Sequence, residues 1–175
     1  MSRDRAKHVS MPEEKAGMLK WLWLSLFVIA IDQITKTMAD AMLTLYAPRP
    51  IMPFFNLTLM YNQGAAFSFL SNAGGWQKWF FTLLAIGVSG GIIYWLKKLP
   101  ATEKEQAIAL SLVLGGAIGN LIDRLIHGHV IDFIDVYYER LHWPAFNIAD
   151  SAITLGAAIL IAHALFQGKK NETSE

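Results

Sequence analysis

The sequence predicts an integral membrane protein, an all-α bundle of four membrane-spanning helices with a small β-sheet on its outer face. Three observations predict it. Of 175 residues, 54% are hydrophobic and only 17% charged, with a mean hydropathy of +0.34; a soluble domain holds about 45 to 50% apolar and about 25% charged residues. The apolar residues gather in four runs, each near the roughly 20 residues needed to cross a hydrocarbon core. Between the first two runs lies a stretch of alternating apolar and polar residues. This composition excludes a disordered or ordinary cytosolic chain, and the net charge of +1 offers nucleic acid no attraction. With no cysteine, disulfides, cysteine-zinc sites and a thiol nucleophile are excluded.

The predicted spans are residues 19–38, 76–96, 106–126 and 148–166, since only a helix satisfies its own backbone in lipid. The segments 39–75 and 127–147 are too polar to cross. Lys and Arg mark cytoplasmic flanks. With both termini inside, those flanks hold Arg3, Arg5, Lys7, Lys15, Lys20, Lys97, Lys98, Lys104, Lys169 and Lys170, ten of the fifteen basic residues. Residues 1–18 and 167–175 are then cytoplasmic tails around one membrane domain, 19–166, and both long connections face outward. Trp21, Trp23, Trp76, Trp79, Tyr94 and Trp95 fall where an interfacial aromatic belt is expected. A cleaved secretory signal is the competing reading of the first span, from its basic flank and Ala39-Asp40-Ala41. Three further spans favour a retained anchor.

In the first outer segment, Phe55, Leu57, Leu59 and Tyr61 alternate with Asn56, Thr58 and Asn62, the pattern of a half-buried strand. Phe67 and Phe69 around Ser68 suggest a second strand, with Asn62-Gln63-Gly64 as the turn. In the second, Val130, Ile134, Tyr137, Tyr138 and Leu141 fit one helical face, over a run too short to decide. Gly87 to Gly91 and Gly115 to Gly119 have the small-residue spacing of close helix packing, and His163, near an inner helix end, reads as structural.

Charge inside a span costs about 2.5 to 3.5 kcal/mol at the helix centre, so each such residue needs a partner or a purpose. The spans contain Asp32, Lys36, Asn120, Asp123, Arg124 and Asp150. At a rise of about 1.5 Å per residue, Asp32, Asn120, Asp123 and Asp150 fall at one level in the outer third of the membrane. Asp32 and Lys36 are spaced to pair along one helix, and Asn120 and Arg124 share a face. His127, His129, Asp132 and Asp135 are candidate metal ligands, though their spacing matches no strong zinc motif. Without a cysteine or a Ser/His/Asp pattern, the most available nucleophile is water held between two carboxylates that share a proton. The pair must come from Asp32, Asp123, Asp132, Asp135 and Asp150, and spacing alone does not choose. A transporter or ion pathway using the same charges is the second reading, weakened by the lack of an internal repeat.

Five motifs sharpen this: D-Q-x-x-K at Asp32 to Lys36, Y-N-x-G-A-A-F at Tyr61 to Phe67, G-G-A-x-G-N-x-x-D-R at Gly115 to Arg124, G-x-V-x-D-F at Gly128 to Phe133, and F-N-x-A-D at Phe146 to Asp150. In this order, on four spans, the sequence resembles the bacterial signal peptidase II family from Trp21 to Phe166. The resemblance implies an inner-membrane aspartyl endopeptidase that cuts prolipoproteins just before a diacylglyceryl-modified cysteine. It needs no metal or cofactor, and its partners are the lipid-modified substrate and membrane lipids. Carried over, the catalytic dyad is Asp132 and Asp150. Asn120, Asp123, Arg124 and Asn147 would form the polar shell and Asn62 with Gly64 the substrate-facing loop. Asp32 and Lys36 would be scaffolding near the site, and the sheet a periplasmic cradle for substrate.

Overall fold

The computed structural model describes residues 17–64 and 75–172, with side chains to 166. The suggested strand at Phe67 to Phe69, the end of the Y-N-x-G-A-A-F motif and residues 1–16 and 173–175 of the tails lie outside the described residues. A short 3-10 turn, Leu19–Trp21, leads into α1 (Leu22–Met42), followed by β1 (Arg49–Met52), β2 (Phe55–Asn62), α2 (Trp76–Lys98), α3 (Lys104–Ile126), β3 (Val130–Tyr138), β4 (Leu141–His142) and α4 (Ile148–Glu172). Four helices are long and apolar enough to span a membrane: Leu19–Met42, Trp76–Lys98, Lys104–Ile126 and Ile148–Phe166. The first three outrun the sequence expectation by two to four residues at one end, because helix geometry continues past the apolar window.

The third span is the centre of the bundle. Half of its apolar window is buried, against 28%, 22% and 17% for the others, and that is why it can carry Asn120, Asp123 and Arg124. Its glycines set the spacing. A Cβ at Gly115 would meet Val28 and Ser25 of α1, one at Gly119 would meet Asp32, and one at Gly116 would meet the Ala149 carbonyl of α4. Gly87 and Gly91 are different: both are exposed, and nothing approaches within 4 Å of a Cβ there. The expected packing role of that pair is therefore corrected; α2 turns these glycines away from the described bundle.

An apolar cluster of Met18, Ile92, Leu96, Leu99, Ala107, Leu110 and Leu114 closes the bundle end away from the sheet, and the Met18 amide donates to the Leu96 carbonyl at 2.8 Å. At the opposite end the strands form one antiparallel sheet in the order β1-β2-β3-β4. The strand expected from Phe55 to Asn62 is β2. Its burial departs from the expected faces: Asn56 and Thr58 are buried because both donate to the buried Asp135, and Leu59 is buried beside Thr58 because the β2–β3 register shifts between Leu57 and Met60 and a bulge offsets the two-residue period. The run from Val130 to Leu141, too short to decide from periodicity, resolves as strands. Those residues form β3 and β4, as the β-branched and aromatic run from Val130 to Tyr138 favours a pleated strand.

Candidate active site

The polar end of the bundle is assembled from α1, α3, α4, β2 and β3. From α1 comes Lys36, 1% exposed, whose Nζ lies 2.9 Å from both Asp32 Oδ2 and Asp123 Oδ2. The intrahelical pair anticipated from spacing thus has a third member on α3. Lys36 also donates to Asn120 Oδ1 at 2.9 Å. Asp32 reaches α4, its Oδ1 accepting from the Ala149 amide at 2.9 Å. Gln33 ties the helices together through Asp32 Oδ2, the Gly119 carbonyl and Asp123 Oδ1. Asp123 Oδ2 further accepts from the Ile131 amide at 3.0 Å, which fixes the start of β3 on the bundle. The single level inferred from helix rise is realised as one connected network.

Asp132 and Asp150 enter from two sides of this network. Asp132 is on β3, 2% exposed, and accepts from Asn62 Nδ2 at 3.0 Å and Asn147 Nδ2 at 2.7 Å. Burial, then the neighbouring Asp150 charge, push its carboxyl from an ordinary 3.8 up to about 7, against the Asn62 and Asn147 donors and the Lys36 cation. Asp150 stands in the first turn of α4 and accepts from Asn120 Nδ2 at 2.7 Å. Asn147 caps that helix, its Oδ1 accepting from the Asp150 amide at 2.9 Å. A cavity of about 630 Å³ opens beside them. Its polar lining includes Asn62, Asn120, Arg124 and Asp150, and its apolar lining includes Trp143, Phe146, Ile153 and Leu155. Asp132 borders it through Asn62.

The Gly64 amide donates to Asn62 Oδ1 at 2.9 Å and its carbonyl accepts from Arg124 Nη2 at 3.1 Å. Arg124 also donates to the Asn120 carbonyl and lies over the Phe81 ring, while Asp123 pairs with Lys36. The four candidate metal ligands are not brought together. Asp132 and Asp135 are three residues apart on a strand and bind different partners; Asp135 takes Asn56, Thr58 and His142. His129 stacks on Tyr61 at 4.2 Å, and Tyr61 donates to Asp40 at 2.7 Å, joining β2 to α1. No three His, Asp or Glu side chains converge for a metal among the described residues. His163 pairs with Glu103 and Gln106, a structural contact as expected. Sequence reasoning missed Gln33 and His142 as organising residues; Gln33 was signalled only by standing next to Asp32 in D-Q-x-x-K.

A membrane bundle that holds Asp132 on a strand and Asp150 in the first turn of a helix, each bound by side-chain amides beside one cavity, has the parts of a membrane-embedded aspartic peptidase. Comparison with known proteins makes the assignment specific. Residues 24–166 match the family described as signal peptidase (SPase) II. The lipoprotein signal peptidase of Teredinibacter turnerae is 57% identical over 151 residues, 86% of this chain and 90% of that protein. That of Pseudomonas putida is 52% identical over 167 residues, 93% of this chain and 97% of the relative. A bacterial membrane enzyme solved by the in meso method at 2.3 Å resolution superposes with a TM-score of 0.77 at 33% identity, covering 87% of this chain and 90% of that one. The chain belongs to the signal peptidase II family.

Proposed function

We propose that Asp132 and Asp150 are the catalytic dyad with which this chain, a signal peptidase II and thus an aspartic endopeptidase, removes the signal peptide from prolipoproteins. The observation that carries the reading is the pair itself: two carboxylates from different elements, each bound by side-chain amides and Asp132 buried, at the sheet end of an apolar bundle. Two such acids do not both ionise cheaply, so the pair shares one proton near neutral pH and titrates as a unit. The ionised carboxylate takes a proton from water, and the water oxygen bonds to the scissile carbonyl carbon. The protonated carboxyl donates to the carbonyl oxygen as that charge develops. The proton taken from water then passes to the departing nitrogen as the C–N bond breaks, and a hydroxyl of the tetrahedral intermediate returns its proton to the other carboxylate as the carbonyl re-forms, which restores the single proton of the dyad.

The cut falls just before a cysteine carrying diacylglycerol, because a lipid-anchored residue holds its scissile bond at the membrane surface, the depth of this site. The cavity's apolar lining, Trp143, Phe146, Ile153 and Leu155, suits the lipid and signal helix. Asn120, Asp123, Asn147 and Arg124 hold the dyad's surroundings, and Asn62 with Gly64 faces the substrate. The domain is residues 19–166, in the bacterial inner membrane with both tails cytoplasmic and the site toward the periplasm, a topology supported by the Lys and Arg distribution. Membrane lipids are its other partners. The transport reading is not favoured by the family.

The test is cleavage of a purified, lipid-modified prolipoprotein followed by gel shift. Asp132→Asn and Asp150→Asn are each expected to be inserted, folded and inactive, and full activity in either variant overturns the dyad. Product release with no ion or solute gradient present separates a peptidase from a transporter.

A further inference from the structure

Lys36 has every donor of its ammonium engaged in a dry site: Asp32, Asp123 and the side-chain oxygen of Asn120, each at 2.9 Å. An ammonium donates and never accepts, so only the oxygen of the Asn120 amide can face it. Asn147 Nδ2 reinforces this from the other side, donating to the same Asn120 oxygen at 3.2 Å. With its oxygen so claimed, the amide must present its NH2 the opposite way, and that group donates to Asp150 Oδ1 at 2.7 Å. A flipped Asn120 would set NH2 against ammonium and oxygen against carboxylate, two repulsive contacts in a low-dielectric site. Asp32 and Asp123 in turn hold the ammonium in place from α1 and α3.

We propose that Lys36 is a positioning residue for the peptidase reaction: through the Asn120 amide it fixes the donor that holds Asp150 in its reactive orientation. The inference rests on the reading of Asp132 and Asp150 as the dyad. Lys36 itself touches no reacting group; apart from the through-space pull of its charge, its link to Asp150 is one side chain, Asn120. The relay runs ammonium, amide oxygen, amide nitrogen, carboxylate, across three helices.

The relay is tested by a double-mutant cycle of Lys36→Met and Asn120→Ala, with Asp132→Asn in the same series, assayed at steady state on purified lipid-modified prolipoprotein. Losing a preorganised donor at a reacting group typically lowers kcat by about 10² to 10³-fold. Lys36→Met and Asn120→Ala are each expected to lose about 10²-fold in kcat with KM within about twofold, and the double variant to be no slower than Asn120→Ala alone, because both remove the same link. Losses that multiply in the double variant, a change confined to KM, or an undiminished kcat in Lys36→Met each overturn the relay. If Lys36→Met does not fold, the variant combining Lys36→Met with Asp32→Asn, which removes one charge of each sign, takes its place under the same expectation. Failure of both to fold also overturns the relay, in favour of a purely structural ion cluster. An active Asp132→Asn sinks the dyad reading itself, whereas multiplying losses with an inactive Asp132→Asn sink only the relay.

Discussion

Asn147 donates to the Asp132 carboxylate at 2.7 Å from a fully buried amide, and the oxygen of that same amide accepts from the Asp150 backbone at 2.9 Å. One side chain thus fixes the cap of α4 and the carboxylate of β3 together. The two duties separate by substitution. Asn147→Ala loses both, and is expected to cost about 1 to 3 kcal/mol of stability from the cap and the unpaired buried groups as well as activity. Asn147→Asp keeps an oxygen to cap the helix but sets a third carboxylate against Asp132. It is expected to remain folded, with a melting temperature nearer wild type than Asn147→Ala, and to be at least as inactive. Thermal unfolding in detergent and the cleavage assay read the two duties independently.

The Asp132 carboxyl keeps its proton to about pH 7 in the native protein, while an unfolded chain releases it near 3.8. Between those values the native state binds the extra proton. Stability from this group is therefore highest below about pH 4 and declines as pH rises to 7, at up to about 1.4 kcal/mol per pH unit. Asp132→Asn removes the titration. Its melting temperature is expected to gain on wild type between pH 5 and pH 7 and to hold that lead at pH 8. A constant difference between the two proteins from pH 5 to 8 would show that Asp132 carries no such proton. The same proton predicts that wild-type kcat/KM falls above pH 7, as the acid partner of the pair is lost.

A second buried carboxylate, Asp135, has the opposite setting. Burial pushes its carboxyl up, but donors from His142, Thr58 and Asn56 outweigh it, so the group ionises below its ordinary 3.8. The stabilisation it contributes is present above 3.8 and is lost as pH falls through its lowered value. The His142 contact, at 2.7 Å, holds the β3–β4 hairpin, and the next residue, Trp143, lines the cavity. His142→Leu is expected to raise KM several-fold with kcat within about twofold, since it loosens a wall and leaves the dyad untouched. A fall in kcat alone, measured at saturating substrate, contradicts that division.

The spans were legible because lipid imposes one strict rule on the backbone, and a shared level for Asp32, Asn120, Asp123 and Asp150 was expected from helix rise alone. Their connection was not. That Lys36 serves Asp32, Asp123 and Asn120 at once depends on how α1 docks on α3, and that docking depends on Gly115 and Gly119, whose spacing Gly87 and Gly91 share without sharing the role. Periodicity failed at β3 because Val130, Ile134 and Tyr137 fit a helical face as readily as they fit a strand. It misled at β2 because the buried acceptor Asp135 draws in Asn56 and Thr58, polar residues that alternation assigns to solvent. The choice of Asp132 and Asp150 among five acids came from family motifs. What spacing could not show is the separate set of amide donors on each, Asn62 and Asn147 on Asp132 and Asn120 on Asp150.

The two glycine pairs give opposite expectations for the same substitution. A Cβ at Gly119 would sit 2.6 Å from Asp32 Oδ2 and 3.3 Å from the Ala149 side chain, inside the network that joins α1, α3 and α4. Neither neighbour yields easily: Asp32 is bound to Lys36 and to the Ala149 amide, and Ala149 is in the first turn of α4. Overpacking of this kind costs about 1 to 3 kcal/mol. Gly119→Ala is accordingly expected to lower the melting temperature by several degrees and to impair cleavage by moving Asp32. At Gly87 an added methyl meets nothing within 4 Å, while Ala is favoured over Gly in a helix by roughly 0.5 to 1 kcal/mol. Gly87→Ala is expected to be neutral or mildly stabilising, with full activity. Thermal unfolding of the two variants side by side, in one detergent and with the cleavage assay run on each, checks the contrast. Equal destabilisation by both substitutions would mean that α2 packs through Gly87 against a surface outside this bundle.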